Sequence, residues 1–334
     1  MIPESGHSIS GKDDPLSRSS RTLDPDALAL LDMFHSSGRP PFEKLTPADA
    51  RAQFRAGRAA VTPPPQDVAE VRALACPGPL GEVALRAYRP LGTQASETLP
   101  ALVHFHGGGW VLGDLDSHDV ICRHYANAAR CRVVSVDYRM APEHKFPAAV
   151  DDSAAATRWI LGAAPALGID PARVAVGGDS AGGNLAAVLA LMARDGELPR
   201  LAYQLLIYPA TDMTMTLPSS RHTDVGLITS KTMKWFIGHY LRDARDEVDW
   251  RASPLHATDL AGTAPALVLT CTYDPLLDEG VAYARRLERC GVRVTHLHFS
   301  DQMHGFVGHG RIVRAGNTAL DMAAAALKRA LWET

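Results

Sequence analysis

From about residue 66 onward, short apolar runs rich in branched side chains alternate with longer stretches whose apolar residues recur every three or four positions. The runs at 83–88, 101–105, 132–136, 173–176, 201–208, 266–271 and 292–299 predict strands. The stretches at 147–163, 181–195, 278–290 and 316–332 predict helices. Several central runs are apolar at successive rather than alternate positions, which suits strands buried on both faces of a parallel sheet. The expected fold class is α/β, with a mostly parallel central sheet flanked by helices.

Two stretches break this rhythm. Asp24-Pro25 is a cap followed by a proline at the first helical position, and Ala27, Leu30, Leu31 and Phe34 follow on one face until Ser36-Ser37-Gly38. Thr46-Pro47 opens a second short helix in the same way. The second break is 211–254, a Met- and Thr-rich loop and then a helix at 230–241 whose Met233, Phe236, Ile237, Tyr240 and Leu241 share a face. The expected organisation is a polar tail over 1–22, one half of a helical cap over 23–60, a core over 61–210, a cap insertion over 211–254, and the rest of the core over 255–334.

Composition changes this picture mainly by exclusion. The 334 residues carry 34 basic and 37 acidic side chains, a net charge of −3, so nucleic acid is not an expected partner. The longest apolar run, 185–193, falls far short of the roughly 20 residues that span a bilayer, so no membrane span is expected. The N-terminus lacks the basic start and apolar stretch of a secretory signal. The 5 cysteines include no C-x-x-C pair, and an odd number cannot form a closed disulfide set. Reduced thiols and a cytoplasmic location are expected.

The chemistry is concentrated at strand ends. The strand at 173–176 runs into Gly177-Gly178-Asp179-Ser180-Ala181-Gly182-Gly183 and then into a helix. Gly178-x-Ser180-x-Gly182 is the pattern of a sharp turn that lifts a nucleophilic serine above a sheet. Alone it is weak, since a glycine frequency of about 7% yields it by chance in roughly one such chain in ten. His106-Gly107-Gly108-Gly109-Trp110 follows the strand at 101–105, where bare backbone N–H groups can receive an oxyanion. Phosphate binding is the alternative for a glycine loop, but Asn184 stands where that chemistry needs lysine.

A nucleophilic serine needs a base, and the base needs an acceptor that fixes its tautomer. Asp274 follows the strand at 266–271, and His304 follows the strand at 292–299. Asp278 is a rival for the acid and His298 for the base. The pairs His104/His106 and His296/His298 each set two rings on one strand face, yet neither has a third ligand nearby, so no metal is expected.

GGDSAGG, HGGGW, YDPLLDEG, HGF and the segment Tyr138-Arg139-Met140-Ala141-Pro142-Glu143 together closely resemble the hormone-sensitive lipase family of α/β-hydrolases, the bacterial family IV carboxylesterases. The likeness runs from about residue 24 to the end. It implies an α/β-hydrolase fold with a two-part cap, Ser180 as nucleophile, His304 as base and Asp274 as the orienting acid. It also implies an oxyanion hole from the N–H groups of Gly108, Gly109 and Ala181, with no cofactor. The reaction expected is hydrolysis of small carboxylic esters of short to medium chain through an acyl-enzyme. Amides, formamides and lactones are alternatives for the same triad, and a non-catalytic receptor is a remote one. Trp110, Leu31, Phe34, Met213, Met215, Trp235 and Phe236 are candidates for the pocket lining. Homodimers are common in the family, so a homodimer is possible here.

Overall fold

The computed structural model describes residues 22–333, so the expected tail lies, but for its last residue, outside the described residues. Among these residues eight strands form one sheet: β1 (Glu70–Gly78), β2 (Gly81–Arg89), β3 (Leu99–Phe105), β4 (Arg132–Asp137), β5 (Ile169–Asp179), β6 (Tyr203–Ile207), β7 (Ala266–Tyr273) and β8 (Val294–Met303). The order across the sheet is β1-β2-β4-β3-β5-β6-β7-β8. β2 runs antiparallel to both β1 and β4, and every later pair is parallel.

Among the described residues nine α-helices accompany these strands: α1 (Pro25–Ser36), α2 (Pro47–Val61), α3 (Asp119–Ala129), α4 (Ala148–Gly162), α5 (Ala181–Arg194), α6 (Pro218–His222), α7 (Ser230–Tyr240), α8 (Leu277–Arg289) and α9 (Arg314–Trp332). The side-chain period of two divides each central strand between two cores. Val103, Phe105, Val134, Val136, Val176 and Val268 face the side covered by α4, α5 and α8. Leu102, Val133, Ala175, Leu205 and Leu267 face the side covered by α1, α3 and α9. Burial on both faces is why these strands read as nearly unbroken apolar runs.

The two proline-opened helices form where the caps predicted them. Asp24 Oδ1 accepts from the Asp26 N–H at 2.8 Å, and Thr46 Oγ1 accepts from the Asp49 N–H at 3.2 Å. Two elements escaped the apolar pattern. β1 is an edge strand with most of its residues exposed or half-buried, and α3 mixes histidine, arginine and asparagine into its apolar face. β8 extends past the apolar run to Met303 because the parallel ladder continues, with Tyr273 opposite Met303. Every later parallel strand points its C-terminal end to one rim of the sheet, which is where open α/β sheets hold their ligands.

Candidate active site

Ser180 sits between β5 and α5 with φ +57° and ψ −117°, a conformation that non-glycine residues rarely adopt. The flanking glycines make this turn possible. A Cβ on either Gly178 or Gly182 would overlap the Phe105 carbonyl oxygen of β3. The turn is fixed by the Ser180 N–H donating to Ile207 O at 2.9 Å and by the Asn184 N–H donating to Ser180 O at 3.0 Å.

His304 Nε2 lies 2.9 Å from Ser180 Oγ, and His304 Nδ1 lies 2.8 Å from Asp274 Oδ2. All three side chains are buried. Asp274 Oδ1 accepts from the Leu276 N–H at 2.7 Å, and Oδ2 also accepts from the Cys271 thiol at 3.4 Å. A carboxylate so placed receives the Nδ1 proton, which leaves the Nε2 lone pair toward the serine hydroxyl. The backbone carries the same alignment, with the His304 N–H donating to Tyr273 O at 3.1 Å. The rivals are occupied elsewhere. Asp278 Oδ2 accepts from the Ser219 N–H at 2.7 Å, and His298 is held by the Thr270 and Thr272 hydroxyls at 2.9 and 3.1 Å.

The glycine loop turns back over Ser180. Gly108 and Gly109 have φ of +119° and +60°. A Cβ on Gly108 would overlap Leu112 O, and one on Gly109 would overlap the Phe236 ring. The N–H groups of Gly108, Gly109 and Ala181 have no acceptor among the described residues. Ala181 opens α5, so its N–H also stands at the positive end of a helix. Asp179 secures the loop from below, accepting from the Gly107 N–H at 3.0 Å while His118 Nε2 lies 3.1 Å from the same oxygen. Burial alone raises the Asp179 pKa, but the neighbouring His118, with His104 and His106, outweighs it and holds the carboxyl below its usual range.

His104 and His106 are buried at the root of the loop, where burial brings their pKa values down to about 3 and about 4. His106 stacks on Tyr138 at 4.3 Å. His296 and His298 share the Thr270 hydroxyl, each at 2.9 Å. No group of three potential ligands gathers around either pair, or elsewhere among the described residues.

Above Ser180 and His304 opens a cavity of about 380 Å³. Leu31, Phe34 and Phe236 line it, together with Phe42, Phe54, Arg58, Met233 and His309. Trp110, Met213, Met215 and Trp235 do not line it, contrary to the sequence expectation. Trp110 is fully buried beneath the loop, stacked on Tyr240 at 4.2 Å and 4°. Met213 is buried in the core, and Met215 packs against it. Trp235 is adjacent to Phe236, so the 100° step of the helix turns it away, toward His239 at 4.5 Å. The sequence predicts α2 but not its part in the lining, to which Phe54, Arg58 and Val61 contribute at i, i+4 and i+7. That spacing is a legible signal, hidden by the arginine within it.

The fold is that of an α/β-hydrolase. Residues 102–308 match the family described as having the alpha/beta hydrolase fold, and the chain belongs to that family, in the hormone-sensitive lipase type its motifs resemble. It is similar to the carboxylic ester hydrolase LipN of Mycobacterium tuberculosis, at 46% identity over 77% of this chain and 69% of that protein. It is also similar to an ethyl acetate hydrolase of Pseudomonas putida, at 38% identity over 93% of this chain and 100% of that one. Among solved structures, an ester hydrolase from the metagenome of Lake Arreo, in complex with a bipyridine phosphonate derivative, superposes with a TM-score of 0.88. It is 43% identical, covering 92% of this chain and 98% of that one. The chain therefore has both the sequence and the fold of carboxylic ester hydrolases. No helix among the described residues is long and apolar enough to cross a membrane.

Proposed function

We propose that the protein is a serine carboxylesterase that hydrolyses short- to medium-chain esters. The observation that carries the reading is the unbroken chain of contacts from Ser180 Oγ to His304 Nε2 at 2.9 Å and from His304 Nδ1 to Asp274 Oδ2 at 2.8 Å, at the floor of a largely apolar cavity. In this mechanism Ser180 attacks the ester carbonyl as His304 takes its proton. The oxyanion collects on the N–H groups of Gly108, Gly109 and Ala181. His304 then gives its proton to the departing alcohol, and in the second half it activates the water that releases the acid. Asp274 holds the imidazole in the required tautomer throughout.

We read 23–60 and 211–254 as a two-part cap. Its support is that Glu43 Oε2 accepts from the Thr232 hydroxyl at 3.0 Å and that the rings of Phe42 and Phe236 lie 6.5 Å apart over the cavity. A cavity of this size suits compact esters better than long acyl chains. All 5 cysteines are free, which supports a cytoplasmic setting. Homodimerisation is a reading of the family alone, and sedimentation velocity tests it.

Initial rates on p-nitrophenyl esters from acetate to palmitate, with wild type and Ser180→Ala side by side, test the proposal. We expect a maximum at short or medium chains and a loss of about 10³-fold or more in the variant. A variant that kept normal turnover would remove Ser180 from the mechanism.

A further inference from the structure

Arg58 reaches from α2 into the wall of the cavity that holds Ser180 and His304. Its Nη2 donates to Ser117 O at 2.8 Å, and its guanidinium lies 5.5 Å from the centre of the Phe54 ring. Its Nε is buried without a hydrogen bond, and Nη1 makes none either. No carboxylate pairs with it among the described residues. Arg51 and Arg139 are matched by carboxylates, Glu143 and Asp152, each at 2.7 Å, and Arg132 and Arg286, which lack a carboxylate, each donate to backbone carbonyls from more than one position.

The two carboxylates that act on Arg58 from a distance are already engaged. Asp179 serves His118 and the Gly107 N–H, and Asp114 accepts from the Ser117 N–H at 2.7 Å and stands 3.8 Å from Arg55. Burial lowers the Arg58 pKa, and Asp179 and Asp114 offset only part of this. An arginine nevertheless keeps its charge in a protein. A partly desolvated guanidinium with open donors is unfavourable on its own and is stabilised when a planar anion arrives.

The open Nη1 lies beside the backbone that follows His304. A Cβ on Gly308 would stand 3.2 Å from it, and the Gly308 N–H donates at 3.0 Å to Gly305 O, the residue after His304. Arg58 and Gly308 line both the main cavity and a side pocket of about 50 Å³, so they form the wall between the two. His309, beside this wall, is kept uncharged because burial brings its pKa down to about 3, and its Nδ1 lies 2.7 Å from Gly305 O. It does not supply a second positive charge.

We propose that Arg58 binds a carboxylate carried by the substrate, so that the enzyme prefers esters bearing a free carboxylate to neutral esters of the same size. This inference rests on the esterase reading above. The carboxylate can sit on the acyl or the alcohol part, and two matched pairs distinguish them. Monomethyl succinate against methyl levulinate places the charge on the acyl side, and acetoxyacetate against acetoxyacetone places it on the alcohol side.

The experiment measures kcat/KM for all four by acid release, in wild type, Arg58→Met and Arg58→Lys. In one pair the charged-to-neutral ratio is expected to fall about 10-fold or more in Arg58→Met, the scale of a lost charge-assisted hydrogen bond, and to fall less in Arg58→Lys. Ratios unchanged by Arg58→Met in both pairs overturn the proposal. If Arg58→Met does not fold, inhibition of wild type decides: succinate must compete with a neutral ester at concentrations where succinamide does not, and equal inhibition by the two overturns it. Failure of the esterase reading looks different, because wild type would then turn over neither methyl levulinate nor acetoxyacetone.

Discussion

Asp274 and Asp278 lie four residues apart at the same end of β7, and only their partners distinguish them. The first meets the imidazole of His304, whereas the second caps the amide of Ser219. Asp274→Asn is expected to lower kcat by about 10⁴-fold by permitting the wrong tautomer. Asp278→Asn should leave esterase activity within a few-fold of wild type. Parallel kinetics on one short-chain ester check both, and a reversed pattern would move the acid to Asp278. Residues of this kind were legible because their chemical type is tied to a strand end. Those that shape the cavity were not. Trp110 and Trp235 are large and apolar near the right motifs, yet one is sealed under the loop and the other is turned away by a single helical step. Arg58 was passed over because arginine in an amphipathic helix usually faces water.

At the scale of elements, the site depends on how closely β3, β5 and α5 approach. Gly182→Ala should gain about 1 kcal/mol of helix propensity, but its methyl would overlap Phe105 O. Because backbone cannot move aside as a flexible side chain does, the expected net loss is at least about 3 kcal/mol. Urea unfolding of the variant measures it, and a stability equal to wild type would mean that the two segments can part. A milder test concerns α1, where Asp24→Ala removes the acceptor of the Asp26 N–H and should cost about 1 kcal/mol. The central strands and the helices after them were readable from apolar periodicity because packing on both faces of the sheet dictates it. The edge strand β1 and the histidine-bearing α3 were not, since each buries only part of one face.

For the whole molecule, the buried His104 and His106 and the half-buried His309 contribute to the response to acid. Burial brings His104, His106 and His309 down to about 3, 4 and 3, whereas in an unfolded chain they titrate near 6.5. Between these values the unfolded chain binds protons that the native one refuses, so stability falls as pH drops from about 6.5 toward 4. Asp179 adds to the loss only lower, below about pH 4, because its native carboxyl is held under the ordinary value. Thermal midpoints measured from pH 8 to 4.5 should decline across this window, and less steeply in His309→Gln. An equal slope would exclude His309 as a contributor.

One feature of the sheet bears on heat as well as acid. Among the described residues β8 is the last strand and pairs only with β7, yet His304 follows its final residue. Edge strands open locally at a lower free energy than interior ones. Warming should therefore separate the imidazole from Ser180 while β3 to β7 are still intact. Activity should vanish several degrees below the loss of far-ultraviolet circular dichroism and return on cooling, which makes heat inactivation a reversible unlatching of one strand that precedes global denaturation.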